Sequence, residues 1–427
     1  MITPSFSLTA TERVLPKLAL DFTTAVLDSR ITFTRSTSAS NPATYVNSSG
    51  VITAASDNQP RFDYNPISLI CKGLLIEESR QNTFTYSEQF ASSWTPTRIT
   101  ISNDQATAPD GNATADAITA DVSTSTSHYM VNTQSFTSGT TYAWSIFAKV
   151  LGTAGYRLRL RLNTGAFGAT ITADFNLSAG TVAARSGGVS ASIEAYPDNW
   201  YRCTFIATAT ATASDSPWLM LVTSSGGQNF IGDGVSGAYI WGAQLEAGAF
   251  ATSYIPTTSA ALTRNADVAT MTGTNFSDWY NQSEGALSCE FAFIGYELAN
   301  RDRIVSITDA TGNEEIGIIQ NSTNGYGRFE VVDGGANQAL LNCINTTMTA
   351  GTTYQICGTY KVNSFCGSGS LGSQATDASG TIPTPDRMCL GGYGPGTTTA
   401  IFNGHLKSVN YWPQRITNNE TLAFAKI

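Results

Sequence analysis

Apolar and polar positions alternate along most of this chain with a period of two, the pattern of strands that bury one face. In LDFTTAVLDSRITFTRSTS, residues 20–38, Ile31 and Phe33 fall on one side and Arg30, Thr32 and Thr34 on the other. ATYVNSSGVITAA predicts a hairpin turning at Asn47–Gly50. QPRFDYNP lies between Pro60 and Pro66 and reads as an irregular or edge segment. KGLLIEESRQNTFTYSEQFASSW supplies a strand from Leu74 to Ile76 and the aromatic anchors Phe84, Tyr86, Phe90 and Trp94. Strand patterns then recur in TTYAWSIFAKV, YRLRLRL, GATITADFNL, WYRCTFIATATA, PWLMLVTS and GAYIWGAQLEAG, with turn signals between them. GALSCEFAFIGY, RIVSITDA, EIGIIQN, RFEVVD, TTYQICGTYKV, RMCLGGYG and FNGHLKSVNYWP repeat the theme after residue 258. Only ITNNETLAFAKI has helical spacing, with Asn418 or Asn419 as its cap and Leu422 and Ala425 facing inward.

These elements predict an all-β chain: an N-terminal extended leader followed by two antiparallel β-sandwich (jelly-roll) domains. The boundaries are a leader at 1–20, an extended β-rich segment at 21–94 packed on the first sandwich, that sandwich at 95–257 and a second at 258–427. GLLIEE and GAQLEAG are expected to pair as neighbouring strands of one module. Pro256 to Asp267 reads as the linker.

Composition narrows the function. Hydrophobic residues make up 41% of the 427, which excludes wholesale disorder. Charged residues are only 13%, and 23 basic against 32 acidic side chains give a net charge of −9. A general nucleic-acid binder needs a basic footprint and is excluded. No run of apolar residues is long enough to insert in a membrane. The start lacks a basic region followed by an apolar one, so no secretory signal is expected. Cys71, Cys203, Cys289, Cys343, Cys357, Cys366 and Cys389 include no CxxC pair, and the histidines are His128 and His405 alone. That set speaks against a zinc cluster and for buried thiols. Five of the seven lie in the last domain, which leaves room for a disulfide or an intersubunit contact there.

The most specific polar pattern is Tyr156-Arg157-Leu158-Arg159-Leu160-Arg161-Leu162. Alternation puts the three leucines on one face and Arg157, Arg159 and Arg161 on the other, about 7 Å apart. Three such guanidiniums repel unless they meet acids, and the planar fork of Arg suits a carboxylate of an acidic polysaccharide. The competing reading is a solvated or intersubunit face. Sugars also stack on exposed rings. Trp144 alternates with Tyr142 and Ile146 and reads as core, and Trp200 as scaffold. Trp218, beside Asp215 and Pro217, and Tyr129, in a Ser/Thr-rich loop, are the candidate rings.

Catalytic sets are missing. The neighbouring acids Glu77 and Glu78, and Glu314 and Glu315, point to opposite faces of a strand and form no carboxylate dyad. Neither GxSxG nor a P-loop occurs, and His405 reads as satisfied by a strand neighbour. The chain is expected not to be an enzyme and to need no cofactor. Calcium is the one ion considered, through loop residues Asp302, Asp309, Asn313, Asn321 and Asp333, yet no DxDxDG-type loop is present.

LDFTTAVLDSRITFTRSTSASNPATYVNSSGVI, NQPRFDYNP, KGLLIEESRQN, YSEQFASSW, APDGNATAD, NWYRCTF and WGAQLEAGAFATSYIPTT, taken in this order, resemble bacteriophage virion proteins. These are tail-fibre or head-fibre (head-spike) proteins with carbohydrate-binding-module-like domains. LGGYG followed by FNGHLKSVNYWPQRIT resembles a concanavalin A/laminin-G-like jelly roll. The resemblance implies a fibre or spike on the virion surface, assembled in the host cytoplasm. It implies a homo-oligomer, with a trimer favoured, that attaches to host surface polysaccharide or lipopolysaccharide and docks to other virion proteins through its N-terminal segment. Two other readings stand beside it: a decoration protein that binds only virion proteins, and a polysaccharide hydrolase or lyase on a jelly-roll scaffold.

Overall fold

The computed structural model describes residues 15–35, 43–123, 126–296, 301–394 and 401–426. The chain is all-β, with short helices only, and forms two antiparallel sandwiches.

The middle sandwich pairs a six-stranded with a seven-stranded sheet. The first runs Ser190–Tyr196, Trp200–Thr208, Thr141–Leu151, Gly237–Ala247, Ala115–Ala120 and Ile99–Ala106 in spatial order. The second runs Thr181–Arg185, Ile171–Asn176, Arg157–Leu162, Trp218–Val222, Thr126–Val131 and Asn229–Phe230, with Thr95–Thr97 also paired to Thr126–Val131. Their inner faces share one core that includes Trp144, Phe205, Leu158, Leu160, Leu219 and the anchors Phe84, Phe90 and Trp94. The alternation RLRLRL thus has its predicted cause: each Leu enters the core and each Arg leaves it.

The terminal sandwich is assembled from both ends of the described chain. Its eight-stranded sheet runs Gln374–Asp377, Ser364–Gly369, Thr353–Lys361, Glu284–Phe293, Gly404–Trp412, Cys71–Ile76 and Arg61–Tyr64, and Leu18–Asp21 also pairs with Gly404–Trp412. The facing sheet begins with Thr32–Thr34 against Val268–Thr272 and continues through Arg387–Leu390, Arg303–Thr308, Glu315–Gln320, Gly327–Asp333 and Ala336–Ile344.

This arrangement departs from the expected domain plan. Most of residues 18–76 completes the terminal sandwich instead of packing on the middle one. Leu18, Leu20, Phe22, Ile31, Phe33, Leu74 and Ile76 are buried in its core, so those strands gain far more apolar cover there than as a separate layer. Leu18 and Leu20 belong to the expected leader and are fixed in the sheet; residues 1–14 lie outside the described residues. GLLIEE does not pair with GAQLEAG: Leu74, Leu75 and Ile76 pair with Leu406, His405 and Gly404. Gly73 makes the approach possible. Its φ is +108°, and a Cβ there would lie 2.1 Å from the Leu406 carbonyl oxygen.

The predicted hairpin forms, with strands Ala43–Val46 and Ile52–Ala55. Val46 and Ile52 pack with Phe147, Trp200 and Trp241 of the middle module. The last helix is Asn418–Phe424, and its cap is Thr417, not Asn418 or Asn419. Thr417 and Glu420 form a reciprocal capping box. Ala425 is buried as expected, while Thr421 takes the inward place assigned to Leu422. All seven cysteines are free thiols, and only Cys71 is partly exposed.

Candidate functional site

The outward face of the seven-stranded sheet of the middle module gathers all five candidate carbohydrate-binding side chains, Tyr129, Arg157, Arg159, Arg161 and Trp218. Across the strands, Arg161 stands opposite Trp218, and Arg159 opposite Met220, which stands opposite Tyr129. Tyr129 stacks on Trp218 with ring centroids 3.8 Å apart and an 11° tilt. The Arg161 guanidinium lies 4.2 Å from the Trp218 ring centroid. Strands Thr126–Val131 and Arg157–Leu162 flank Trp218–Val222 on either side, so Tyr129 and Arg161 cover opposite faces of the indole. Met220, beneath this row, is completely covered.

That geometry changes the role read for Trp218. With both faces taken, the indole is a prop that fixes Arg161 by cation–π contact, and a sugar ring cannot stack on it. Tyr129 is the ring whose outer face looks away from the stack, toward Thr97 on the neighbouring edge strand.

The three arginines are not equivalent. Arg159 grips Asp174 bidentately, at 2.5 Å from Nε and 2.8 Å from a terminal nitrogen, and also donates to the Gly226 carbonyl at 3.0 Å. Arg161 uses only Nε, donating to Asn163 at 2.8 Å. Burial lowers its pKa, with the Arg159 charge adding to the shift. Arg157 lies half-buried, and its Nε has no hydrogen-bond partner. Among the described residues, Asp174 is the one carboxylate ion-paired to this strand's guanidiniums, and the charge of Asp215 acts on Arg161 without an ion pair. The terminal nitrogens of Arg157 and Arg161 make no hydrogen bond or ion pair among the described residues, and Arg157 packs beside Gly226. The turn Thr223–Gly227 borders the row through Gly226.

A second polar constellation lies between the sandwiches. Arg61 meets Glu77 at 2.7 Å and Asp267 at 2.5 Å, Arg35 meets Asp267 at 3.0 Å, and Arg264 meets Glu77 at 3.1 Å, with no side chain of the five exposed. Ser253, at the end of the middle module, donates to Glu77 from its backbone nitrogen and its hydroxyl, both at 2.7 Å. The arginines and Ser253 hold the Glu77 carboxyl down at about 2 against the cost of burial. Sequence reasoning missed this network. Arg35 shares the parity of Ile31 and Phe33, which was the available signal.

His405 is satisfied as expected: its Nε2 lies 2.9 Å from Asp63, which also receives Lys72 at 2.7 Å. Burial lowers the His405 pKa, and Lys72 and His405 hold Asp63 well below the usual carboxylate range despite burial. His128 sits in the other module against Phe230, so the histidines do not converge. Of the loop residues considered for calcium, Asp309 and Asn321 accept hydrogen bonds from their own turns and Asp333 accepts from Thr381. Among the described residues, no group of three or more His, Cys, Asp or Glu could hold a metal ion.

No protein-family model matches the sequence, and no curated protein matches it. Among solved structures, the chain is similar to the CBM40 of the Ruminococcus gnavus IT-sialidase bound to alpha2,3 sialyllactose. That match has 15% identity and a TM-score of 0.29, over 34% of this chain and 84% of that one. It is similar to the NanB sialidase of Streptococcus pneumoniae (13% identity, TM-score 0.30, 37% of this chain and 26% of that one). Domains LG4-5 of the mouse laminin alpha1 chain give 11% identity and a TM-score of 0.24, over 69% of this chain and 90% of that one.

Proposed function

We propose that this chain is a non-enzymatic attachment protein of a bacteriophage virion, and that its middle module holds acidic glycans on the arginine face. The observation that carries the binding reading is the row Tyr129, Trp218, Arg161 with Arg157 on one outward sheet face, where only Arg159 of the three guanidiniums is ion-paired among the described residues. A glycan carboxylate receives a forked pair of hydrogen bonds from Arg161, which Trp218 keeps in place. The apolar face of an adjoining sugar rests on Tyr129. Arg157 reaches a second acidic unit further along the strand. Arg159 is committed to Asp174 and acts as spacer.

The virion role rests on the sequence strings that resemble fibre and spike proteins. It brings with it a position on the particle surface, docking to other virion proteins through the N-terminal segment, a trimeric assembly, and host surface polysaccharide or lipopolysaccharide as the ligand source. Titration calorimetry with uronic- and sialic-acid oligosaccharides, beside the same sugars with carboxyls reduced to alcohols, tests the binding. Tight binding only to the acidic forms, lost on Arg161→Ala, is the expected result. Equal binding of the reduced forms would overturn it.

A further inference from the structure

We infer that the cleft between the two sandwiches is a second carbohydrate site, shaped for a neutral, hydroxyl-rich oligosaccharide and separate from the arginine face. The cleft encloses about 1030 Å³. That is the upper end of the range for small-molecule pockets, so it has room for several linked sugars.

Its walls are the outward faces of two sheets. Ser192, Glu194, Arg202 and Thr204 come from the six-stranded sheet, and Lys72 and Lys407 from the eight-stranded one. Each cation has an acid beside it or opposite it, Glu194 standing across the strand pair from Arg202. Lys72 meets Asp63 at 2.7 Å, Lys407 meets Glu290 at 3.4 Å, and Arg202 donates to the Ser145 hydroxyl and the Thr252 carbonyl at 3.0 and 2.7 Å. Such a lining exerts little net pull on a charged ligand, in contrast to the arginine face. It still offers ammonium donors and carboxylate and hydroxyl acceptors spaced along a groove, which is what sugar hydroxyls require.

The floor makes the groove preformed. Glu77 in the floor is tied to Arg61, Arg264 and Ser253, contacts that join the N-terminal strands to the end of the middle module. A cleft whose walls are clamped at the base loses little freedom when a ligand enters.

The test uses the full chain with neutral hexasaccharides (malto-, cello-, xylo- and chito-hexaose) by calorimetry and saturation-transfer NMR. At least one binds, and Ser192→Trp, which puts an indole on an exposed wall position, weakens it by about tenfold or more. Glu194→Ala, on the same wall, weakens it without filling the groove and serves if Ser192→Trp does not fold. Arg161→Ala leaves it unchanged. No binding of any hexasaccharide at millimolar concentration overturns the inference. So does binding that survives both wall variants, and loss on Arg161→Ala would move the site to the arginine face. Failure of acidic glycans to bind speaks only to the arginine face.

Discussion

Arg61 and Asp267 are 206 residues apart in the chain and meet at 2.5 Å with neither side chain exposed. Burying a guanidinium is costly unless carboxylates surround it, and here Glu77 and Asp267 both do. The Arg61 pKa accordingly rises despite complete burial. The contact brings the strand Arg61–Tyr64 to the start of the terminal sandwich, so it works as a staple between distant segments.

Removing one partner strands the others. Arg61→Met leaves Glu77 and Asp267 with fewer cations in a dry site, a loss of about 3–5 kcal/mol for a broken buried pair. Urea unfolding should show a lower midpoint with an unchanged slope. A loss below about 1 kcal/mol would place the network in contact with water and end its role as a staple.

On the arginine face, Trp218→Ala should weaken acidic-glycan binding nearly as much as Arg161→Ala, by about tenfold. A sugar-stacking Trp would instead cost binding of reduced and acidic glycans alike. Comparing both ligand forms on the Trp218 variant separates the prop from the platform. Tyr129→Phe should retain binding and Tyr129→Ala lose it, because the ring face and not the hydroxyl is used.

Local pattern carried the parts of this structure that depend on neighbours in sequence. The alternation of Arg157 to Leu162 fixed which side chains leave the sheet, and Trp144 is fully buried as its spacing with Ile146 implied. The stack of Trp218 between Tyr129 and Arg161 was beyond reach, since it depends on which strands are neighbours. The same limit hid the fate of residues 18–76. At Arg61–Tyr64 the alternation itself misleads: Arg61 and Asp63 are the buried positions, and Phe62 and Tyr64 the half-exposed ones. Charges go inside there because Glu77, Asp267, Lys72 and His405 arrive from elsewhere to meet them.

Acid should unfold the chain in two stages. Burial lowers the His405 pKa below its ordinary 6.5, so the unfolded state takes up a proton that the folded state resists. Stability therefore begins to fall as pH drops below about 6.5. Glu77 is depressed from 4.5 to about 2, and its contribution is complete above 4.5 and lost as pH falls through about 2. Asp63, also depressed, adds to the second stage. His405→Gln removes the first stage and keeps the second. Thermal unfolding between pH 7 and pH 2 reads both; a midpoint flat down to pH 5 in the parent chain would contradict the first.

The two sandwiches should differ when separated. The main core of the middle module runs from Phe84 to Leu245, within one continuous stretch of chain. The core of the terminal module needs Leu18, Leu20, Phe22, Phe33, Leu74 and Ile76 as well as residues after 268. Without residues 15–77, its eight-stranded sheet would lose Leu18–Asp21, Cys71–Ile76 and Arg61–Tyr64, and the facing sheet Thr32–Thr34. That leaves open edges beside uncovered apolar side chains, the condition for aggregation. A fragment spanning 78–261 should thus be soluble and unfold cooperatively, weakened by the missing hairpin contacts of Val46 and Ile52. A fragment starting at 262 should aggregate when made alone and become soluble when residues 15–77 are supplied on a second chain. Cooperative unfolding of the 262–427 fragment by itself would show that the N-terminal strands decorate this module without completing it.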